Sequence, residues 1–433
     1  MSNSENHPKA DIVIIGAGAA GLTAAIFAGQ QNLERQLGLR IVLLDGARKP
    51  GAKILVSGGG RCNVTNQKVT AADFCGGSPT IIRNVLRRFD EKKTVEWMSK
   101  MGVELKPEPR GKLFPTTNTA RTVLEALLRE MERVNVELRA DHRVLEVCPQ
   151  DEGFLVELKN REPLLATRLI LATGGLSLPK SGSDGWGVAL AKRLGHQIVP
   201  TTPSLVPLVT DSTHEVGHAL QQFTGLAANL SLDLVLPSGK RLYSREESLL
   251  FTHFGLSGPA ALDFSRHFLR FQLEHPNEEV RACLRLPMFA HEDAAQNWIR
   301  QNTEANTTAS IEKLLGSNIP KQLAQYLVQG APNWPEFSKQ KRGEFARRLA
   351  CFPLPITGPR GYSFAETTAG GVALDEIHYR TMESKRVNNL SFCGELLDVD
   401  GRIGGFNFQW AWASGFVAGT QAVASFSRSL NLA

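Results

Sequence analysis

DIVIIGAGAAGLTAAIFAGQQ, residues 11–31, decides the fold of this chain. Its first five residues form a short apolar run that is typical of a buried β-strand, and the small residues that follow favour a helix. Between them, Gly16, Gly18 and Gly21 have G-x-G-x-x-G spacing. In this spacing the first glycine permits a tight turn, the second lets backbone approach a phosphate, and the third lets the helix pack on the strand. The stretch therefore predicts a helix N-terminus that attracts a pyrophosphate.

The next apolar segment predicts the second strand of a βαβ unit. Residues 39–47, LRIVLLDGA, end this strand at Asp45, which lies 24 residues beyond Gly21. An acid at this place can accept hydrogen bonds from a ribose. The glycine motif lies between a predicted strand and a predicted helix, and an acid follows at the expected distance. Together these features favour a dinucleotide site over a structural glycine turn. NAD and FAD both use such a unit, so this part of the chain leaves the two cofactors open.

Two later segments resemble flavoprotein signatures and favour FAD. ATRLILATGG, residues 166–175, is similar to a strand that ends in Ala-Thr-Gly near the cofactor. NNLSFCGELLDVDG, residues 388–401, resembles the C-terminal motif in which a strand ends in Gly-Asp, although this chain has Gly394-Glu395 there. Three such motifs in this order resemble the FAD proteins with two dinucleotide-binding folds.

Four further segments together resemble one family. They are PGAKILVSGGGRCNVTN (50–66), LFTHFGLSGPA (250–260), TTAGGVALDEI (367–377) and GELLDVDGRIGGFNFQWAWASG (394–415). The family is the bacterial FAD-dependent oxidoreductases labelled aminoacetone-oxidase-like or bile-acid dienone reductase-like. The resemblance covers nearly the whole chain. It implies an α/β fold: a Rossmann-like FAD-binding domain built from both chain ends and interrupted by a β-barrel-like insertion with a helical subdomain.

Composition shifts along the chain agree with that plan. We predict an FAD-binding domain over 1–195 and 361–433, a β-rich insertion over 196–290 and 351–360, and a helical subdomain over 291–350. Gly404–Ser427 carries no charge but includes Asn, Gln, Gly and Ser, so a buried helix is favoured over a membrane span.

The loop SGGGRCNVTN, residues 57–66, is the most specific part of the resemblance. Its three glycines can adopt positive φ and press against a flat ligand, although a glycine-rich surface loop is the alternative. Arg61 could neutralise phosphate or negative charge on a reduced flavin ring. Asn63, Thr65 and Asn66 offer donors and acceptors for the ring edge or the ribityl chain.

The candidate cofactor-binding residues come from these motifs and from the resemblance. They are Gly16, Gly18, Ala19, Ala20, Gly21, Asp45, Lys53, Gly59, Gly60, Arg61, Cys62, Asn63, Val144, Ala172, Thr173, Gly174, Gly394, Glu395, Gly405, Phe406, Asn407 and Phe408. Backbone N–H groups of residues 404–407, at the start of the last predicted helix, could stabilise charge at the flavin pyrimidine edge. The motifs single out no catalytic acid or base.

Cys62 and His253 are the remaining candidates for chemistry. A flavin disulfide reductase needs a second nearby cysteine, and Cys75 is 13 residues away, so a buried thiol without redox function is favoured for Cys62. His253 lies among phenylalanines, where a packing role is favoured over proton transfer. Phe406, Phe408, Trp410 and Trp412 are spaced by two, so they cannot share one helix face.

Composition narrows the class of protein. The chain has 433 residues, a net charge of +6 and no block of like charges, which argues only weakly for nucleic acid or membrane. Its six cysteines have neither C-x-x-C nor zinc spacing, so no metal is expected and reduced thiols in the cytoplasm are favoured. The N-terminal residues are polar and include no apolar h-region, so no signal peptide is expected.

These observations predict an enzyme, an FAD-dependent oxidoreductase that transfers hydride between the flavin and a small organic substrate. Enone-type reduction and amine oxidation both stay open, with NAD(P)H as a candidate electron donor. A small molecule is the expected partner, with no nucleic acid and no membrane. The alternatives are a flavin-dependent RNA-modifying enzyme and a flavin-binding sensor without turnover.

Overall fold

The computed structural model describes residues 7–305 and 307–430, and the chain forms two compact units. The first unit comprises residues 1–202 and 366–433, and the second comprises residues 203–365. The sequence-based boundaries, after residues 195 and 360, lie a few residues N-terminal to these.

The N-terminal segment alternates strands and helices. Its strands are β1 (Lys9–Ile15), β2 (Ile41–Leu44), β3 (Thr65–Asn66), β4 (Phe74–Gly76), β5 (Leu105–Glu108), β6 (Lys112–Pro115), β7 (Glu137–Arg139), β8 (Val144–Gln150), β9 (Gly153–Leu158), β10 (Leu164–Leu171) and β11 (Ile198–Ser204). Its helices are α1 (Ala19–Glu34), α2 (Ala52–Gly60), α3 (Pro79–Arg88), α4 (Glu91–Lys100), α5 (Ala120–Arg133) and α6 (Trp186–Arg193).

The second unit contains an antiparallel sheet and several helices. Its strands are β12 (Leu208–Thr210), β13 (Ala227–Val235), β14 (Arg241–Thr252), β15 (Gly255–Ser257), β16 (Arg281–Arg285), β17 (Phe352–Leu354) and β18 (Ile356–Pro359), in the order β17-β16-β13-β14-β15-β12-β18. Its helices are α7 (Glu215–Gln221), α8 (Gly258–Glu274), α9 (Glu292–Glu304), α10 (Ile311–Gly316), α11 (Lys321–Val328) and α12 (Lys339–Ala350). The last four helices lie within the segment for which the sequence predicts a helical subdomain.

The chain then returns to the first unit. This segment contains β19 (Thr367–Val372), β20 (Ile377–His378), β21 (Glu383–Ser384), β22 (Leu390–Phe392), β23 (Val399–Gly401) and the long helix α13 (Phe406–Leu430). Short 3₁₀ helices lie at Ala71–Asp73, Pro109–Gly111, Pro179–Ser181, Trp334–Glu336, Tyr362–Phe364, Leu374–Glu376 and Gly394–Leu396.

The main sheet of the first unit is a parallel Rossmann-like sheet, which confirms the predicted fold class. Its principal order is β20-β21-β22-β10-β1-β2-β7, and β22, β10, β1, β2 and β7 run parallel. Fully buried apolar runs such as Ile12–Ile14 and Leu43–Leu44 form its centre, as expected for strands covered on both faces. Because β22 comes from the C-terminal segment, both chain ends are needed to build this sheet.

Helix α13 packs closely on α1 through small residues. A Cβ atom added at Gly415 would lie 2.5 Å from the Ala20 carbonyl oxygen, and one added at Gly419 would lie 2.2 Å from that of Ala24. Both distances are far below van der Waals contact, so the helix backbones approach each other only because these residues are glycines. Within the described part of the chain, no helix is both long enough and apolar enough to cross a membrane.

This contact predicts a large effect from one methyl group. Gly419→Ala should lower the free energy of unfolding by about 1–3 kcal/mol, because α13 must move away from α1. The matched control is Gly316→Ala, since Gly316 is helical and a Cβ there meets nothing within 4 Å. Urea unfolding followed by circular dichroism measures both variants, and equal midpoints would contradict the packing argument.

Candidate functional site

The turns predicted to bind a cofactor lie at one edge of the parallel sheet. Strands β1, β2, β10 and β22 are neighbours and end in the same direction. Their carboxyl ends lead into Gly16, Asp45, Ala172 and Gly394. This edge of a doubly wound sheet is the usual ligand site, so the topology brings together motifs that are far apart in sequence.

The glycine turn after β1 has the geometry that its sequence predicts. Gly16 has a φ of 104°, and its backbone approaches Ala172 so closely that a Cβ would lie 2.6 Å from the Ala172 oxygen. A Cβ at Gly21 would lie 1.8 Å from the Gly16 oxygen, whereas one at Gly18 would meet nothing within 4 Å. Gly16 and Gly21 are therefore required by packing, and Gly18 borders open space.

Asp45 holds the turn from the end of β2. One carboxylate oxygen accepts a hydrogen bond from the Ala17 N–H at 2.7 Å, and the other accepts one from the Ala47 N–H at 2.7 Å. Burial raises the pKa of Asp45, and the two N–H groups and the Arg143 charge oppose that rise. Each oxygen retains a lone pair for a ribose hydroxyl.

The edge fits a dinucleotide cofactor. Among the described residues, no side chain caps the N-terminus of α1, which begins at Ala19 beside the open space at Gly18. The hydroxyl of Thr173 is buried and lacks a hydrogen-bond partner within the described ranges. An uncapped helix N-terminus attracts phosphate. These features match a pyrophosphate near Gly18 and a further polar contact after β10.

The last residues of α2, Gly58–Gly60, form an unusual left-handed turn. Ser57 is extended, and Gly58, Gly59 and Gly60 have φ values of 55°, 68° and 81°, so the regular helix ends before Ser57. A Cβ at Gly59 would meet nothing within 4 Å. Cys62 also has a positive φ, of 59°, which is uncommon for a residue with a side chain. The loop leaves open space beside Gly59, where a flat ligand could approach.

Arg61 contacts a carboxylate and an aromatic ring. Its guanidinium donates to Glu108 at 2.8 Å and lies 4.1 Å from the centre of the Phe114 ring. The predicted role of Arg61, neutralising phosphate or reduced flavin, stays a prediction. The charge that Arg61 would offer is already shared with Glu108.

The asparagines of the loop hold the backbone before α13. The side-chain amide of Asn63 is oriented so that both its oxygen and its nitrogen form hydrogen bonds. The oxygen accepts from the Gly405 N–H at 3.0 Å, and the nitrogen donates to the Leu113 and Thr65 carbonyls. Asn66 is buried and donates to the Gly404 carbonyl at 3.1 Å. These side chains thus join the glycine loop to the turn at 404–405.

A buried polar cluster anchors the start of α13. Gln409 accepts hydrogen bonds from the hydroxyls of Thr65 (2.6 Å) and Thr94 (2.9 Å) and donates to the Phe89 carbonyl (2.8 Å). The side-chain oxygen of Asn407 accepts a hydrogen bond from the Gly401 N–H, and its NH₂ group donates one to the Gly401 carbonyl oxygen, each at 2.8 Å.

The aromatic residues of α13 form two pairs. Phe406 and Trp410 are fully buried one turn apart, and Phe408 stacks on Trp412 with ring centres 5.4 Å apart. They therefore occupy two faces of the helix, as the spacing by two requires.

Lys53, Ser177 and Glu395 form a network that joins three chain segments. The Lys53 ammonium donates to Glu395 and, at 2.5 Å, to the Ser177 hydroxyl. Glu395 also accepts from Ser177 at 2.6 Å and from the Thr368 N–H at 3.1 Å. The side chains of Lys53 and Glu395 are 24% and 17% exposed, so most of this ion pair is shielded from water.

Sequence reasoning selected Lys53 and Glu395 but missed Ser177. Ser177 follows the Ala-Thr-Gly-Gly turn and is fully buried. Its position three residues after Gly174 gives no recognisable motif, so only the fold reveals this contact. Thr368, in β19 and within the segment 367–377 that resembles the family, accepts from the Leu176 and Ser177 N–H groups at 2.9 and 3.1 Å.

The remaining candidates have varied surroundings. Val144 is buried in β8, next to Leu158 of β9. Ala19 and Ala20 form the first turn of α1. His253 is exposed at the turn between β14 and β15, where its ring lies edge-on to that of Phe254 with centres 5.1 Å apart, so the packing role favoured for it stays a prediction.

Cys62 is fully buried, and burial raises its pKa to about 12. Its thiol is therefore neutral at physiological pH, and each unit of pKa lowers the reactive thiolate fraction tenfold. We expect iodoacetamide at pH 8 to modify the half-buried Cys75 at least about 100-fold faster than Cys62 in the folded protein. Peptide mass spectrometry measures both sites, with unfolded protein as the control in which both react. Rapid labelling of Cys62 in the folded protein would revive its role as a redox thiol.

Comparison with known proteins identifies relatives over nearly the whole chain. The family described as "HI0933-like protein Rossmann domain" matches residues 10–421. A ribosomal RNA dihydrouridine synthase of Escherichia coli (strain K12) is 33% identical over 96% of this chain and 99% of its own length. A 3-dehydro-bile acid delta(4,6)-reductase of Clostridium scindens is 32% identical over 95% of this chain and 98% of its own length.

A solved structure shares the fold. The 3-ketosteroid delta1-dehydrogenase of Sterolibacterium denitrificans aligns with a TM-score of 0.51 and 14% identity over 96% of this chain and 100% of that chain. At this identity the likeness concerns the fold alone. Because the family match and the relatives above 30% identity span almost all residues, the chain belongs to the HI0933-like Rossmann family of FAD-dependent oxidoreductases, which confirms the family predicted from its motifs.

Proposed function

We propose that this chain is an FAD-dependent reductase that saturates a C=C double bond conjugated to a carbonyl group, with a uracil base of ribosomal RNA as the substrate. The observation that carries this proposal is the pair of relatives named ribosomal RNA dihydrouridine synthase. They come from Escherichia coli and Haemophilus influenzae, and they are 33% and 32% identical over 96% and 93% of this chain.

The names of the relatives share one type of chemistry. Dihydrouridine is uridine with the C5–C6 double bond of its uracil saturated, and that bond is conjugated to the C4 carbonyl. A delta(4,6)-reductase of a 3-dehydro-bile acid likewise saturates double bonds conjugated to a ketone. In both cases a hydride adds to a carbon conjugated to the carbonyl and a proton adds beside the carbonyl or along the same conjugated system. Of the two reactions that the sequence leaves open, this chemistry supports enone-type reduction.

The residues at the sheet edge supply the cofactor site in this proposal. Gly18 and the N-terminus of α1 would hold the pyrophosphate, and Asp45 would accept from a ribose. Lys53 and Glu395 lie in the same region, after α2 begins and after β22 ends. When bound and reduced, the flavin would supply the hydride, and NAD(P)H is the class of donor that we propose to reduce it.

RNA as the substrate departs from the sequence-based prediction of a small-molecule partner. That prediction relied on the absence of a basic stripe and of RNA-binding motifs, and RNA modification was its alternative. The small-molecule version is the second candidate function, favoured by the Clostridium scindens relative. Its substrate would be a steroid dienone.

One experiment separates these candidates. The purified protein is examined for a flavin spectrum, titrated anaerobically with NADH and NADPH, and then given unmodified ribosomal RNA made in vitro or a 3-oxo-4,6-dienoic steroid. We expect uridine to gain two hydrogen atoms by nucleoside mass spectrometry while the steroid is unchanged. Conversion of the steroid alone would select the second candidate. Bleaching without either product would reject both substrates, and a flavin that no donor bleaches would favour a sensor.

A further inference from the structure

The first unit carries a groove of about 470 Å³ away from the sheet edge. Its floor is aromatic: the ring of Phe27 lies 5.3 Å from those of Phe89 and Trp97 and 4.8 Å from that of Phe416, centre to centre. Leu33, on its wall, is 42% exposed. The groove thus offers an apolar floor to a ligand that has flat or apolar groups.

The rim of the groove is predominantly basic. Arg88, Lys93, Lys100 and Arg133 line it, against the carboxylates of Glu34 and Glu96. The rim thus combines four cations with two anions, and all six side chains are exposed.

Three of the rim cations are available to a ligand. Arg133 is held by Glu130 through hydrogen bonds of 2.7 and 2.8 Å. By contrast, Arg88, Lys93 and Lys100 form no ion pair with a carboxylate in the described part of the chain, and the Lys93 ammonium donates only to the Arg88 carbonyl oxygen. Unpaired cations beside an apolar floor favour an anionic ligand with flat, weakly polar groups.

One donor on the floor also lacks a partner. Trp97 is 6% exposed, and its indole N–H has no hydrogen-bond acceptor among the described residues. A buried donor without an acceptor is uncommon in folded proteins. The nitrogen itself has almost no accessible surface, so the floor presents the aromatic ring of Trp97, and not its N–H, to a ligand.

The groove and the cofactor edge lie towards opposite ends of α1. This helix begins at Ala19 beside the glycine turn, and Glu34 at its other end lines the groove. Sixteen residues of helix span about 24 Å. A ligand at the Glu34 end of the groove therefore lies well away from the glycine turn, and a polynucleotide of several residues could extend across this distance.

We propose that this groove binds a single-stranded segment of the RNA substrate, at a distance from the base that is reduced. The proposal rests on the proposed function for the identity of the polyanion. Phosphates would contact Arg88, Lys93 and Lys100, and a base would lie against the apolar floor. Such a site lets the enzyme select long RNA over a free nucleoside, because the two contacts together hold the strand.

The test measures binding by fluorescence anisotropy, using the FAD-loaded full-length protein and a labelled single-stranded RNA oligonucleotide of mixed sequence. The triple variant Arg88→Glu, Lys93→Glu, Lys100→Glu should raise the Kd for RNA at least about 30-fold. It should also reduce the slope of log K against log salt by about 2, as expected when about three phosphate contacts are lost. The control triple, Lys159→Glu, Arg161→Glu, Lys192→Glu, changes the net charge equally at exposed sites and should alter the Kd less than about threefold.

A second pair of variants tests the floor. Leu33→Glu places a carboxylate in the groove without removing any cation, and Leu145→Glu is its control because Leu145 is similarly exposed, at 50%. We expect only Leu33→Glu to weaken RNA binding, by about tenfold, from repulsion of phosphate. Melting temperature and flavin content, unchanged in all variants, show that the fold is intact.

The outcomes distinguish this proposal from the proposed function. Equal losses of RNA affinity in the groove triple variant and the control triple variant, or no RNA binding by the wild type, would overturn the proposal that the groove binds RNA. Binding of phosphatidylserine vesicles or of a polyglutamate peptide, but not RNA, with the same sensitivity to the groove variants would assign the groove to another polyanion. Groove-dependent RNA binding without any reduction of uridine would instead reject the proposed reaction and leave the groove proposal standing.

Discussion

The Gly18→Glu protein is expected to fold like the wild type and to purify without flavin. The backbone of Gly18 has a φ of −84°, which any residue can adopt, and a Cβ there meets nothing within 4 Å. The glutamate would place a negative charge where we expect the pyrophosphate. Two like charges about 4 Å apart repel by about 4 kcal/mol at an effective dielectric constant of about 20. This corresponds to a roughly thousand-fold weaker Kd for FAD.

The measurement is the absorbance spectrum of the purified variant, followed by titration with FAD. Gly316→Glu is the matched control. Gly316 also borders open space, and the substitution introduces the same charge in the second unit. Gly18→Ala separates charge from bulk and should retain more flavin than Gly18→Glu. A fully yellow Gly18→Glu protein with the wild-type Kd would show that the pyrophosphate binds elsewhere.

Lys53→Met should produce the second large effect, a loss of about 2–4 kcal/mol in the free energy of unfolding. The substitution leaves the Glu395 carboxylate without its cation in a site where the side chain is only 17% exposed. Breaking a buried ion pair from one side costs about 3–5 kcal/mol, and the remaining exposure reduces that cost. Ser177 and the Thr368 N–H still donate to the carboxylate, which limits the loss further.

Urea unfolding followed by circular dichroism gives the size of this effect. Lys192→Met is the control, since Lys192 is exposed and should change the free energy by less than about 0.5 kcal/mol. The double variant Lys53→Met, Glu395→Leu removes both charges and should recover much of the loss, as replacing a whole buried ion pair often does. If the double variant is no more stable than the single one, the pair does not act as a unit.

The two predictions differ in what the sequence could supply. Gly18 could be selected from sequence because the tight turn, the strand and the helix are all local and have one spacing. The role of Lys53 depends on Glu395, which is 342 residues away, and on Ser177, which belongs to no motif. Sequence spacing cannot predict such a contact, because residues that meet in the folded protein need no particular number of residues between them.

The loop at 57–66 shows the same division. Its glycines predict a backbone with positive φ, and Gly58, Gly59 and Gly60 all have one. The partners of its polar residues were not predictable. Arg61 contacts Glu108 and Phe114, and Asn66 contacts Gly404, because β3 and β6 pair and α13 begins beside them.

By itself, the sequence determined the parts of this protein that depend on local conformation. The apolar run before Gly16 and the glycines after it specify a strand, a turn and a helix, since each preference acts over a few residues. The family resemblance likewise comes from short motifs. Tertiary structure decided which ends of strands are neighbours, because the crossovers that join parallel strands need about a dozen residues or more and have no fixed length beyond that. It placed Asp45 at the Ala17 N–H, joined Lys53 to Glu395, and set the aromatic floor and basic rim of the groove, since those contacts exist only after distant segments pack together.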